Sequence, residues 1–177
     1  MSVKKRLTGF LYFAVTVAIL VALLKVAGWL PTALQEGLMR QYDSVEEVRA
    51  KLHIKDVYVP SYFPQSFKWP PSRILAQSRP FVAIVMEFRD VRTADTALVI
   101  SQSADKDFVP DKRISLTRVR EKVDYPLKGR ASSLEVGTCR NGSPCSRISW
   151  REGIYRISVE MESAPFDLLK IADSMTR

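Results

Sequence analysis

The chain has 177 residues and a formal net charge of +8, with one His and two Cys. That length holds one domain plus an appendage, not two cores. Four basic residues, Lys4, Lys5, Arg6 and Lys25, precede Pro31 with no acid among them, so residues 31–177 carry only +4, with Arg and Lys interspersed among Asp and Glu. Such interspersion excludes a dedicated nucleic-acid binder, which gathers its basic residues on one face or in a run.

Residues 1–7 form a basic tail, and Thr8–Leu30, TGFLYFAVTVAILVALLKVAGWL, is a run of 23 residues with one charge. As a helix it is long enough to cross the roughly 30 Å hydrocarbon layer of a bilayer. Lys25 lies near the far end, where its stem carries the ammonium to the headgroups, and Trp29 is a typical interfacial ring. Lys4, Lys5 and Arg6 flank the near end. The positive-inside tendency places them in the cytoplasm and everything after Pro31 outside. A cleaved signal peptide has a shorter apolar run, roughly 7–15 residues, and a small-x-small site that Val26-Ala27-Gly28 matches poorly. The expectation is a single-pass protein of the inner membrane, with the lipid bilayer as its first partner.

Residues 31–42 read as a juxtamembrane linker, broken from the span at Pro31. The domain proper is expected over 43–177. It opens with DSVEEVRAKL, where Ser44 and Glu47 have capping-box spacing and Val45, Val48 and Leu52 share a helical face. Next, Pro60, Pro64, Pro70 and Pro71 alternate with Tyr58, Tyr62, Phe63, Phe67 and Trp69, which excludes regular helix or central strand and predicts an extended segment taped to the core by its rings.

From here the period is that of strands: RILAQS, FVAIVMEFRD, TALVISQS, ISLTRVREKV, ASSLEVG, SRISWRE and IYRISVEME, separated by turn residues. Ile154, Ile157, Val159 and Met161 suggest an apolar face with a bulge near Arg156, and Arg151-Glu152-Gly153 a hairpin turn. The closing SAPFDLLKIADSM predicts a helix capped by Ser163, with Pro165 in its first turn and Phe166, Leu169, Ala172 and Met175 toward the sheet. The fold class is therefore α+β: an N-terminal transmembrane helix, then a curved antiparallel sheet of about six or seven strands with a short N-terminal helix and a C-terminal helix packed on it.

Chemistry-bearing residues are few. Cys139 and Cys145 flank RNGSP in a predicted turn, and outside the cytoplasm such a pair is most simply a disulfide. Zinc would need further soft or imidazole ligands, and the single His53 lies at a helix end, so no metal and no cofactor are expected. There is no G-x-S-x-G and no phosphate-binding glycine loop. Glu46-Glu47 suits a helix first turn, and Glu160 and Glu162 one face of a strand. Arg118, Arg120 and Lys122, preceded by Lys112 and Arg113, make a basic stripe that reads as edge protection rather than as a lipid or acidic-partner surface.

The order of DSVEEVRAKL, YVPSYFP, the strands, SRISWREGIYRISVE and SAPFDLLKIADSM resembles a bacterial extracytoplasmic domain of unknown function. That domain is found C-terminally in anti-sigma-factor-like membrane proteins and in sporulation-type envelope lipoproteins. The matching features are Pro60 and Pro64, Trp150 before Gly153, and Ile171-Ala172-Asp173-Ser174. The resemblance spans about residues 43–177 and implies location and fold, without a catalytic residue. Only seven residues precede the span, with no zinc-binding or sigma-binding domain among them, so direct anti-sigma activity is not expected. The expected function is a membrane-anchored, non-enzymatic envelope module that binds another envelope protein or senses. The alternative is a binder of a lipid or small apolar ligand in a cavity lined by Val82, Ile84, Met86, Val99 and Trp150.

Overall fold

The computed structural model describes residues 15–17, 19, 21–23, 39–110 and 114–176. The chain divides into two compact units, residues 1–38 and 39–177. In the first, residues 15–17, 19 and 21–23 are helical, and all are exposed. Among the described residues no helix is long and apolar enough to cross a membrane. The expected span over Thr8–Leu30 otherwise lies outside the described residues, as do Lys4, Lys5, Arg6, Lys25 and Trp29.

The second unit is an antiparallel sheet with two short helices. Its elements are β1 (Arg40–Tyr42), α1 (Val45–Leu52), β2 (Val59–Pro60), β3 (Arg73–Gln77), β4 (Ala83–Arg89), β5 (Thr96–Ser103), β6 (Leu116–Leu127), β7 (Arg130–Cys139), β8 (Pro144–Glu152), β9 (Tyr155–Met161), α2 (Pro165–Asp173) and β10 (Met175–Thr176). Eight strands form one sheet in the order β1-β3-β4-β5-β9-β8-β7-β6, and β10 pairs with β2 in a separate ribbon. The seven strand stretches read from alternation are all present. The eighth strand is β1, which comes from the stretch expected to be linker and pairs Gln41 with Leu75.

Both helices pack on one face of this sheet, called here the inner face. Ser44 caps α1, its hydroxyl accepting from Glu47 N at 3.0 Å, while Glu47 Oε2 accepts from Asp43 N at 2.8 Å. Val45 and Val48 are buried, and Leu52 packs against the same cluster. Helix α2 starts differently from expectation: Ala164 is the N-cap without a side-chain bond, and Ser163 donates instead to Ala164 O. Pro165 at the first helical position supplies the fixed φ and lacks an N–H that would have no partner. The buried face is Leu168, Ile171 and Ala172, with Leu169 half-buried and Phe166 exposed to 77%. Met175 is buried but belongs to β10. Each fully buried aliphatic side chain here contributes about 1.5–3 kcal/mol of transfer free energy.

The aromatic segment is taped down as expected. Phe63 lies 5.1 Å from Phe88 and 6.0 Å from Trp69, ring centre to ring centre. Gln102, 1% exposed, fixes the start of the segment by accepting from Tyr58 N at 3.1 Å and donating to Asp56 O at 2.6 Å. Those bonds satisfy a buried amide that would otherwise oppose folding.

Two hairpins shape the far half of the sheet. Lys128 and Gly129 both have positive φ, 48° and 78°, the signature of a type I′ turn between β6 and β7. Between β8 and β9 the turn is Gly153-Ile154, not residues 151–153: Glu152 pairs with Tyr155, and Gly153 has φ 58°. Ile154 is therefore exposed to 68%, and the buried face of β9 is Tyr155, Ile157, Val159 and Met161 in unbroken alternation. No bulge occurs near Arg156. Bulges lie instead in β6, between Leu116 and Arg118 and between Val119 and Glu121.

Candidate functional site

The outer face of the sheet reads as three rows of cross-strand neighbours. The first holds Arg73, Glu87, Val99, Glu160, Arg147, Glu135 and Lys122. Its charges alternate where they touch. Arg147 Nε lies 2.8 Å from Glu135 Oε2, and Lys122 Nζ lies 3.0 Å from Glu135 Oε1. Burial raises the Glu135 carboxyl, but hydrogen bonds from Arg147 and Lys122 outweigh it and hold the group below the usual carboxylate range. Glu160, 1% exposed, accepts from Leu116 N at 2.6 Å and so docks the start of β6.

The second row is a run of serines, Ser101, Ser158, Ser149 and Ser133, ending at Asp124. The third places Ser103 beside Arg156 and Arg156 beside Arg151. Around Val99 of the first row, Val85, Ile114, Leu116, Cys139 and Cys145 form a small apolar cluster against Leu75, Phe108 and Met39, and Val85 and Leu75 continue the line of the serine row through the Val85–Ser101 pair. The disulfide Cys139–Cys145 closes the β7–β8 turn with its Cα atoms 5.1 Å apart. Both cysteines are buried.

A groove of about 1010 Å³ opens over the second and third rows. Ser133 and Ser149 lie in its lining, with Lys106, Arg151 and Arg156 on one side and Asp124, Pro126 and Gly129 on the other. The Ser133 hydroxyl is buried and has no hydrogen-bond partner. Arg156 Nη1 donates to Lys106 O at 3.0 Å, which holds the segment after β5 against β9. Arg130 is paired with Glu152 at 2.8 Å. The groove thus gathers hydroxyls, cations and one carboxylate on one surface.

The residues singled out from sequence fall elsewhere. His53 is the exposed C-cap of α1 with φ 57°. Glu162 accepts from Asn141 Nδ2 and Ser143 Oγ, both at 2.7 Å, bracing the disulfide turn. The basic stripe is not one face: the bulge at Val119/Glu121 breaks alternation, leaving Arg118 opposite Thr138 and Lys122 opposite Glu135. Lys112 and Arg113 lie outside the described residues. The five residues proposed to line an enclosed cavity do not share one. Ile84, Met86 and Trp150 are buried in the inner core with Val82 against it, while Val99 belongs to the outer cluster. Among the described residues no group of three or more His, Cys, Asp and Glu is placed to hold a metal.

The groove residues that reading from sequence missed are Arg151, Arg156 and the serines. A two-residue turn at Gly153-Ile154 would have revealed the first pair, since it sets residue 151 opposite 156. No protein family, no curated protein and no solved structure matches this chain.

Proposed function

We propose that the chain is a membrane-anchored extracytoplasmic binding module without catalytic function, anchored through Thr8–Leu30 and recognising its partner through the outer groove. The observation that carries the reading is the Cys139–Cys145 bridge. Disulfides persist in oxidising compartments and are rare in the cytosol, and a bridge buried within a hairpin is structural rather than exchanging. Two further points support the anchor. Val15, Val17, Ile19, Val21 and Leu23 are all exposed by 43% or more, so these helical residues present apolar side chains to their surroundings rather than to a core, which suits lipid rather than water. The resemblance to envelope domains of unknown function favours the same placement.

The alternative, a lipid or apolar-ligand binder, is supported by the groove's exposed apolar rim at Ile154 and Pro126 rather than by an interior cavity. The test of compartment is to quench growing cells with acid, alkylate free thiols, and weigh the intact protein before and after reduction. An oxidised pair in nearly all molecules supports the reading; two alkylated thiols without reduction refute it.

A further inference from the structure

On the outer face of the β8–β9 hairpin, Arg151 and Arg156 are direct cross-strand partners, and both are exposed. Like charges opposite each other in an antiparallel pair, with Cβ atoms about 5 Å apart, weaken the pairing. Among the described residues neither arginine forms an ion pair. Glu152 holds Arg130 and Glu135 holds Arg147 and Lys122, and the carboxylate that lines the groove, Asp124, stands on its opposite wall on β6. Lys106 brings a third cation to the same wall. Strand β1 begins toward this end of the sheet, because Arg40 pairs with Ala76, one residue short of the Gln77–Ala83 pair that continues the Ser103–Arg156 row. Arg40, Arg79 and Lys128 are exposed at that same end.

An anion placed between two guanidinium groups removes their repulsion and accepts charge-assisted bonds from both. Phosphate suits the place better than a carboxylate. Its additional oxygen is available to Lys106, which lines the same groove. Ile154, 68% exposed beside the two arginines, gives the groove an apolar lip that an inorganic ion leaves uncovered. We infer that the groove binds the phosphate of an amphiphile, with Arg151 and Arg156 as the clamp, Lys106 at the mouth and Ile154 against the attached carbon chain. An anionic phospholipid headgroup and a soluble phosphate ester share this chemistry. The inference deepens the binding-module reading, and only the lipid source depends on the proposed anchor.

The experiment compares amide hydrogen exchange of the full chain in nanodiscs of phosphatidylcholine alone and with phosphatidylglycerol added, and then titrates glycerol 1-phosphate and inorganic phosphate into the first. The expected result is about tenfold slower exchange over residues 149–156 on occupancy, the effect of a ligand at about ten times its dissociation constant. It is abolished in R151Q/R156Q and kept in R118Q/R120Q. Protection only by phosphatidylglycerol names the headgroup as the source; protection by glycerol 1-phosphate in neutral discs names a soluble ester. Inorganic phosphate acting as well as the ester overturns the role of Ile154. No protection by any of the three, or protection that survives R151Q/R156Q, overturns the site. Should the chain fail to enter nanodiscs, the anchored reading falls, and the two soluble titrations on the chain in buffer still decide the groove.

Discussion

Replacing Arg151 with Gln should stabilise the free protein, although it removes a side chain the binding site needs. Arg151 and Arg156 face each other across β8 and β9 on an exposed surface with no ion-pairing acid. Two unit charges about 5 Å apart in water repel by about 0.8 kcal/mol, and screening at physiological salt reduces this to about 0.5 kcal/mol. Arg151→Gln should therefore gain about 0.5 kcal/mol, and Arg151→Glu about 1 kcal/mol because attraction replaces repulsion. Arg156→Gln should gain less, since it also forfeits the 3.0 Å bond to Lys106 O. The assay is urea unfolding of the full chain in a non-ionic detergent, followed by tryptophan emission, with Trp150 only 3% exposed as the reporter. In high salt the gain should vanish. A loss of stability in Arg151→Gln at low salt, or a gain that salt leaves untouched, would refute the electrostatic account of the pair.

Other consequences follow from the neighbouring geometry. A Cβ on Gly137 would sit 1.8 Å from Arg118 O, so Gly137→Ala must push β6 away from β7; a loss of about 2–3 kcal/mol in urea unfolding, with faster amide exchange in β6, is expected. The Cys139–Cys145 loop has a sequence separation of 6, for which the chain-entropy relation gives about 2 kcal/mol, so C139S/C145S should lower the unfolding free energy in urea titration by that much without unfolding the domain. Glu135 is held ionised by Arg147 and Lys122, with its folded pKa lowered despite burial. Its contribution, about 1–2 kcal/mol for a charged hydrogen-bonded group, is thus present above the unfolded pKa near about 4.3 and lost as pH falls through the folded value. Wild type and Glu135→Gln should differ in urea midpoint at pH 7 and converge in acid; a gap that persists at pH 2 would contradict the assignment.

Much of the sheet was legible because strands in a half-buried sheet alternate, and the seven stretches from RILAQS to IYRISVEME carry that alternation. Strand β1 was not, since Arg40–Tyr42 is three residues whose β character comes only from pairing with β3. The face of α2 was misread by about one position: the size of Phe166 drew the stripe toward it, whereas the set spaced to meet the sheet is Leu168, Ile171 and Ala172. In β6, bulges reset the alternation, so the spacing of Arg118, Arg120 and Lys122 in sequence does not give one face. The groove itself was illegible for a deeper reason. The serine row joins residues 101, 133, 149 and 158 through long-range register, and no local pattern announces a partner on another strand.

The proposed placement of residues 39–177 is outside the cytoplasm, on a membrane anchor. Its most direct test adds protease to intact spheroplasts that express the full chain with an epitope at its N-terminus, alongside a cytoplasmic marker. The account predicts that the domain is digested while the marker survives, leaving a membrane-bound N-terminal fragment that resists alkaline carbonate. A domain protected until the membrane is lysed, or an N-terminal fragment released into the soluble fraction, would contradict it.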